Sequence, residues 1–105
     1  MSDFNLLLKK SSRLKLRHPD RIPVIISPSN FTMSQYKFLP KKDSTYGDLL
    51  YMMRHYVYLS KEQAIFGFIN KFMIPVSATI GDLYNVHGDA DGYLHISMMT
   101  ENTFG

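Results

Sequence analysis

With 105 residues, 45% hydrophobic and 20% charged, the chain has the length and composition of one globular domain. It has no cysteine, which excludes disulfides, zinc–thiolate centres and a cysteine nucleophile, and no apolar run approaches the ~20 residues of a membrane-spanning helix. The net charge of +3 is uneven: residues 1–21 hold six bases (Lys9, Lys10, Arg13, Lys15, Arg17, Arg21) and two acids (Asp3, Asp20), and the remainder six bases and seven acids. The triplet Leu6-Leu7-Leu8 is too short for a signal-peptide core and precedes the bases, so a protein soluble and cytosolic when made is expected. Its basic segment suits acidic peptides, anionic lipid or nucleic acid, or is a solvated helix face.

Residues 4–16 read as a short helix, with Phe4, Leu7, Leu8 and Leu14 on one face and Ser11-Ser12 weakening its middle. Pro19 disfavours helix at His18. Ile22 to Ile26 is β-branched and strand-like, with Pro23 at its start, and Tyr36 to Leu39 forms a second short strand stopped by Pro40. Thr45-x-x-Asp48 is a capping box that opens a helix to about Tyr56, with Leu49, Met52, Met53 and Tyr56 as its apolar stripe. Ser60-x-x-Gln63 is a second box opening only a turn. The run "AIFGFI" (64–69) is a buried strand, with Phe66 and Phe68 expected in the core, and "NKFMIP" turns it into a short edge strand. Thr79 to Tyr84 makes one or two helical turns. "GDADG" is a turn, and Tyr93 to Met99 alternates, with Leu94, Ile96 and Met98 on one face. The order helix, β, β, helix, β, short β, short helix, β predicts an α+β sheet with a helix across it, a ubiquitin-like roll being one of its forms.

Enzymatic machinery is not visible. Asp89-Ala90-Asp91-Gly92 begins like a calcium loop, but the fifth and twelfth positions are Tyr93 and Thr100, so a hairpin turn is expected instead. The four histidines are scattered without metal-ligand spacing, and neither a phosphate-cradling glycine pattern nor a nucleophile elbow occurs. The aromatics fall at core-like spacings, so no nucleic-acid partner is expected.

The blocks "RIPVII", "KFLP", "EQAIFGFINKFMIPVSATIGDLYNVHGDADGYLHISM" and "ENTFG" together resemble the autophagy ubiquitin-like modifiers, the GABARAP-type family. The likeness runs from about Arg17 to the end, with one gap near residues 27–34, where the loop is shorter here. It implies an N-terminal helical extension over 1–20, a ubiquitin-like β-grasp domain over 21–100 and a flexible conjugation tail over 101–105. It also implies a modifier that is not an enzyme and carries no cofactor or metal. In that family the terminal glycine, here Gly105, passes through thioesters on activating and conjugating enzymes and is amide-linked to phosphatidylethanolamine. Phe104 is the recognition handle beside it. Glycine has no Cβ to obstruct a narrow active site. Nothing follows Gly105, so no processing of the chain as given is expected. The protein would be cytoplasmic when free and on autophagosomal or related membranes when lipidated.

The resemblance also implies capture of receptors carrying acidic aromatic-x-x-aliphatic motifs, which add a strand to an exposed sheet edge. The edge would be Lys37-Phe38-Leu39. The aromatic pocket would use Leu14, Pro23, Ile25, Lys37, Leu39 and Tyr93, and the aliphatic pocket Phe38, Pro40, Leu49 and Met52. Lys9, Lys10 and Lys37 would meet the acids. For Leu39, Leu49 and Met52, plain core packing is the alternative. The chain departs from the family in having room for little more than one N-terminal helix, in Ser44 at an apolar pocket position, in Tyr56 where the family has a motif-contacting arginine, and in Pro40-Lys41 after the edge strand. Two rival readings stay open: a related modifier joined to a protein lysine, and a non-conjugated binding domain.

Overall fold

Residues 3–60 and 62–101 are described by the structure, a computed structural model. Helix α1 (Asp3–Arg17) stops just before His18-Pro19. Strands β1 (Val24–Pro28) and β2 (Lys37–Phe38) are followed by helix α2 (Tyr46–Met53), which runs on into a 3₁₀ turn (Arg54–Tyr56). A hairpin of β3 (Ile65–Ile69) and β4 (Phe72–Met73), helix α3 (Ile80–His87) and strand β5 (Leu94–Thr100) complete the chain. The element order is the one expected, with ends displaced by a few residues.

Local chemistry sets the element ends. Thr45 Oγ1 accepts from the Asp48 N–H at 3.1 Å and the Thr45 N–H donates to Asp48 Oδ2 at 3.0 Å, so the capping box closes reciprocally. Thr79 caps α3 through the Asp82 N–H. At the second expected box only half forms: the Ser60 N–H donates to Gln63 Oε1, and a single turn results. Asn70 and Lys71 both have positive φ, 50° and 73°, which gives the β3–β4 hairpin a two-residue turn matched to the twist of its strands.

The five strands form one mixed sheet in the order β2-β1-β5-β3-β4. The central pair, β1 and β5, is parallel, from Val24 opposite Leu94 to Pro28 opposite Met98, and the remaining pairs are antiparallel. The first and last strands are therefore the most enclosed, and the two-residue strands are the edges. Val24, Ile26, Ile65, Ile69, Leu94, Ile96 and Met98 form one buried face, packed with Tyr46, Leu49 and Met53 of α2 and Ile80 of α3. Each fully buried aliphatic side chain contributes about 1.5–3 kcal/mol.

Two expectations about packing are corrected. In β3 the inward residues are Ile65, Gly67 and Ile69, whereas Phe66 and Phe68 point to the other face and are half-buried. Register decides this. Gly67 stands opposite buried Met98, and Phe66 and Phe68 stand opposite exposed Met99 and Ser97. The space left by the missing side chain of Gly67 is taken by Tyr46: a Cβ there would lie 2.7 Å from Tyr46 Cζ. In α1 the inward stripe is Leu7, Ser11 and Leu14, while Phe4 and Leu8 are exposed. Ser11 is the buried residue of the helix. Its hydroxyl donates to the Asp91 carbonyl at 2.7 Å, with the Leu8 carbonyl 3.0 Å away. Gly92, at φ 86°, completes the contact, since a Cβ on it would collide with Ser11 Oγ. The helix and the turn meet through two small residues.

Candidate functional site

Strand β2 lies at an edge of the sheet, and its register shows which of its backbone groups are unpaired within it. Phe38 is opposite Val24, and the Ile26 and Ile22 N–H groups donate to the Tyr36 and Pro40 carbonyls. Even-numbered residues thus bond to β1, and the N–H and C=O groups of Lys37 and Leu39 point outward. Both outward carbonyls carry a side-chain donor: Arg21 Nη1 donates to the Leu39 carbonyl at 2.8 Å, and Gln35 Nε2 to the Lys37 carbonyl at 2.9 Å. The Gln35 bond is exposed to solvent. The two outward N–H groups are the hydrogen-bonding handle that remains.

An open apolar groove of about 310 Å³ crosses this edge. Successive β2 side chains alternate between the faces. On the α1 side the lining is Leu14, Lys37, Leu39 and Tyr93; on the α2 side it is Phe38, Met52 and Tyr56, with Gln35 at the end of the strand. The Phe38 and Tyr56 rings meet edge to face, centroids 5.5 Å apart. Lys37 Nζ lies 5.9 Å from the Tyr93 ring centroid. The Tyr93 phenol is held above its ordinary pKa, by burial first and then by the Asp91 carboxylate, so it stays neutral in the groove wall.

A second cavity, about 340 Å³, adjoins the first and shares Leu14, Lys37 and Tyr93 with it. Lys10, Arg13 and Arg17 supply the rest of its lining. Among the described residues, none of its four cations has an acid within ion-pair distance. The cavity is therefore a concentrated positive field beside an apolar groove, suited to an anionic ligand segment.

Of the residues expected to form the site, Leu14, Lys37, Phe38, Leu39, Met52 and Tyr93 line the groove together. Pro23, Pro40 and Leu49 are buried and Ile25 is half-buried, and these four support the groove rather than line it. Lys10 and Lys37 line the basic cavity, and Lys9 does not. Arg13 and Arg17 do, though not singled out from the sequence; with Lys10 and Leu14 they follow the i, i+3, i+4, i+7 spacing of one helix face, a signal that was available. Gln35 carried no such signal, because its role depends on the edge geometry. Phe104 and Gly105 lie outside the described residues.

The Asp89–Gly92 turn anchors Tyr93 from behind. Asp91 is buried; its Oδ1 accepts the Tyr93 N–H at 2.9 Å, and its Oδ2 lies 2.8 Å from His95 Nε2. Asp89 Oδ2 is 3.7 Å from the same nitrogen. These three side chains have their possible ligand atoms within 4.8 Å of one another. Both oxygens of Asp91 are engaged in fastening the turn to β5; the turn expected here forms, but it joins helix α3 to β5 rather than two strands of a hairpin.

The sequence matches the family described as "Autophagy protein Atg8 ubiquitin like" over residues 7–105. The chain belongs to the Atg8 family. It is 38% identical to autophagy-related protein 8 of Schizosaccharomyces pombe, an alignment covering 98% of this chain and 90% of that protein. It is 35% identical to autophagy-related protein 8a of Arabidopsis thaliana, covering 93% and 84%. Among solved structures it resembles the crystal structure of Trypanosoma brucei ATG8, with a TM-score of 0.88, 31% identity, and coverage of 99% of this chain and 93% of that one. Plasmodium falciparum Atg8, in complex with a P. falciparum Atg3 peptide, shares the fold at a TM-score of 0.79 and 23% identity, over 95% and 94% of the two chains. This Atg8 family member is thus a ubiquitin-like protein of autophagy, and the resemblance read from its sequence holds. No helix among its described residues is long and apolar enough to cross a membrane.

Proposed function

We propose that this Atg8 family member is a modifier, not an enzyme, joined through the Gly105 carboxylate to the amine of phosphatidylethanolamine, and that it docks receptors bearing acidic aromatic-x-x-aliphatic motifs on strand β2. The carboxylate is first activated by an activating enzyme. It then passes as a thioester to a conjugating enzyme, and the lipid amine displaces the thiol to form an amide. Residues 101–105 serve as the conjugation tail and Phe104 as the handle for the conjugating machinery. The free protein is cytoplasmic, and the lipidated form sits on autophagosomal or related membranes.

One observation carries the docking half: an apolar groove crosses an edge strand with outward backbone groups and continues into a cavity lined by four cations. An extended peptide with an aromatic anchor and acidic flanks satisfies all three features at once. The Plasmodium relative in complex with an Atg3 peptide supports a conjugating enzyme among the partners. The test is incubation with the family's activating and conjugating enzymes and phosphatidylethanolamine liposomes. The native chain should become membrane-bound and Gly105→Val should not. Conversion of Gly105→Val, or transfer of the native chain to protein lysines alone, would refute the lipid reading.

A further inference from the structure

The α2 side of the groove has a wall unlike the α1 side. Phe38 and Tyr56 stand edge to face at 67°, and Met52 flanks them with 38% of its surface exposed. The Tyr56 backbone is pinned. Its carbonyl accepts the Ser34 N–H at 2.8 Å and the Ser34 hydroxyl at 3.3 Å. The neighbouring Tyr58 N–H donates to the Thr32 carbonyl, and Val57 bridges to Met33. The backbone that carries Tyr56 is therefore held and its partner ring Phe38 is buried, while Met52, unbranched and polarizable, can adapt its shape. Among the described residues, no cation lines this half of the groove. The nearby Arg54 guanidinium is turned to the Gln63 carbonyl, and Lys37 points to the Tyr93 side.

We propose that Tyr56 is a specificity-determining residue that shifts the second anchor away from the aliphatic side chain of the general motif, so that this chain takes an aromatic or methionine side chain there in preference to a β-branched one. The inference rests on the reading of β2 as the docking edge, and the basic cavity beside it commits the occupant to an acidic extended peptide. A third ring entering against an existing edge-to-face pair gains a quadrupole interaction beyond its buried area. A thioether gains a sulfur–aromatic contact. Valine and isoleucine gain neither, and their stiff χ1 limits how far they reach across the strand to the ring faces.

The test uses the full chain and two acidic peptides with the same tryptophan first anchor, one with phenylalanine and one with valine as second anchor, titrated by calorimetry. The phenylalanine peptide should bind about three- to ten-fold tighter. Tyr56→Leu should bring that ratio close to one, chiefly by weakening the phenylalanine peptide, while Leu39→Ala should weaken both peptides and leave the ratio standing. Tyr56 packs on Phe38, so Met52→Val serves as a second variant that leaves this ring pair in place, and it should also narrow the ratio. Equal binding of the two peptides by the native chain, or preference for valine, overturns the inference and leaves the docking edge intact. A ratio unmoved in both variants overturns the assignment to this wall. Failure of both peptides to bind the native chain overturns the docking edge and the inference together.

Discussion

Tyr46 offers a direct test of how the core is assembled. Its ring is 2% exposed and sits beneath Gly67, and its hydroxyl has no hydrogen-bond partner among the described residues. A buried hydroxyl without a partner costs about 1–3 kcal/mol of desolvation. Tyr46→Phe keeps the ring and removes the penalty, so it should stabilise the protein at neutral pH by about 1 kcal/mol after allowing for the small void left behind. The same burial pushes the phenol from its ordinary 10.0 up to about 12. The folded state holds this proton more tightly than the unfolded state. The stabilising contribution is thus complete below pH 10 and is lost as pH rises from 10 to about 12. Over that window the native protein should lose up to roughly 3 kcal/mol that the phenylalanine variant keeps. Urea unfolding of both proteins at neutral pH and at several alkaline values measures this. Taking the difference between them cancels whatever the two proteins share. If Tyr46→Phe is less stable than the native chain at neutral pH, the hydroxyl has a partner and the reasoning fails; so too if both proteins lose stability equally above pH 10.

Three further outcomes follow from the packing and the groove. Gly67→Ala should cost about 1–3 kcal/mol by overpacking against Tyr46, and a second change, Tyr46→Leu, should recover part of that loss; thermal melts of the single and double variants read it. Phe66→Ala, on the half-covered face, should cost clearly less than Ile65→Ala on the inner face, the latter about 2–5 kcal/mol, as compared by chemical denaturation. Leu39→Ala should weaken an acidic aromatic peptide by about 1–3 kcal/mol at low and high salt, whereas Arg13→Ala should cost about 0–1 kcal/mol and only at low salt, as calorimetry at two ionic strengths would show.

Features set by short-range chemistry were legible in advance, and those set by tertiary register were not. Thr45 and Asp48 declare a capping box within four residues, and the strict alternation of Leu94, Ile96 and Met98 declares the inner face of β5. "AIFGFI" has no alternation to read, because every residue but Gly67 is apolar. Its facing follows from pairing with β5 and from the bulk of Tyr46, 21 positions away in sequence. Ser11 is unfavourable by helix propensity, yet tertiary context makes it the point of closest approach, since only a small residue admits the Asp91–Gly92 turn. At the site, the resemblance pointed to Leu14, Lys37, Phe38, Leu39, Met52 and Tyr93 in the groove lining but also to Pro23, Ile25, Pro40 and Leu49, which lie behind it, and the spacing of Lys10, Arg13 and Arg17 supplies the basic flank. The caps on the outward carbonyls of β2 come from Arg21 and Gln35, 18 and two positions away from their acceptors. No local pattern announces them.

The groove is built from walls of unequal firmness, and in the proposed docking that decides where affinity and discrimination reside. It crosses the edge strand β2, and its α2 wall is tied to the core through Phe38 and to the 31–34 loop through Tyr56. Its α1 wall is attached more lightly. It has one buried residue, Ser11, a hydrogen bond to the Asp91 carbonyl, the cation–π contact of Lys15 over Tyr84 at 4.7 Å, and the half-buried Leu7 and Leu14. A wall held by so few apolar contacts opens locally at lower cost than the sheet does. The cations it carries act over a Debye length and tolerate such movement, which suits them to drawing in an acidic segment rather than to reading its shape. In the proposed docking, shape is read where the backbone is pinned, at Leu39 and Tyr93 on one side of the strand and Phe38 and Tyr56 on the other. Loosening α1 with Ser11→Leu, which cannot fit against Gly92, should therefore slow association and steepen no preference between second anchors. A change in the anchor preference of that variant, measured with the same peptide pair, would place selectivity in the helix and contradict this division.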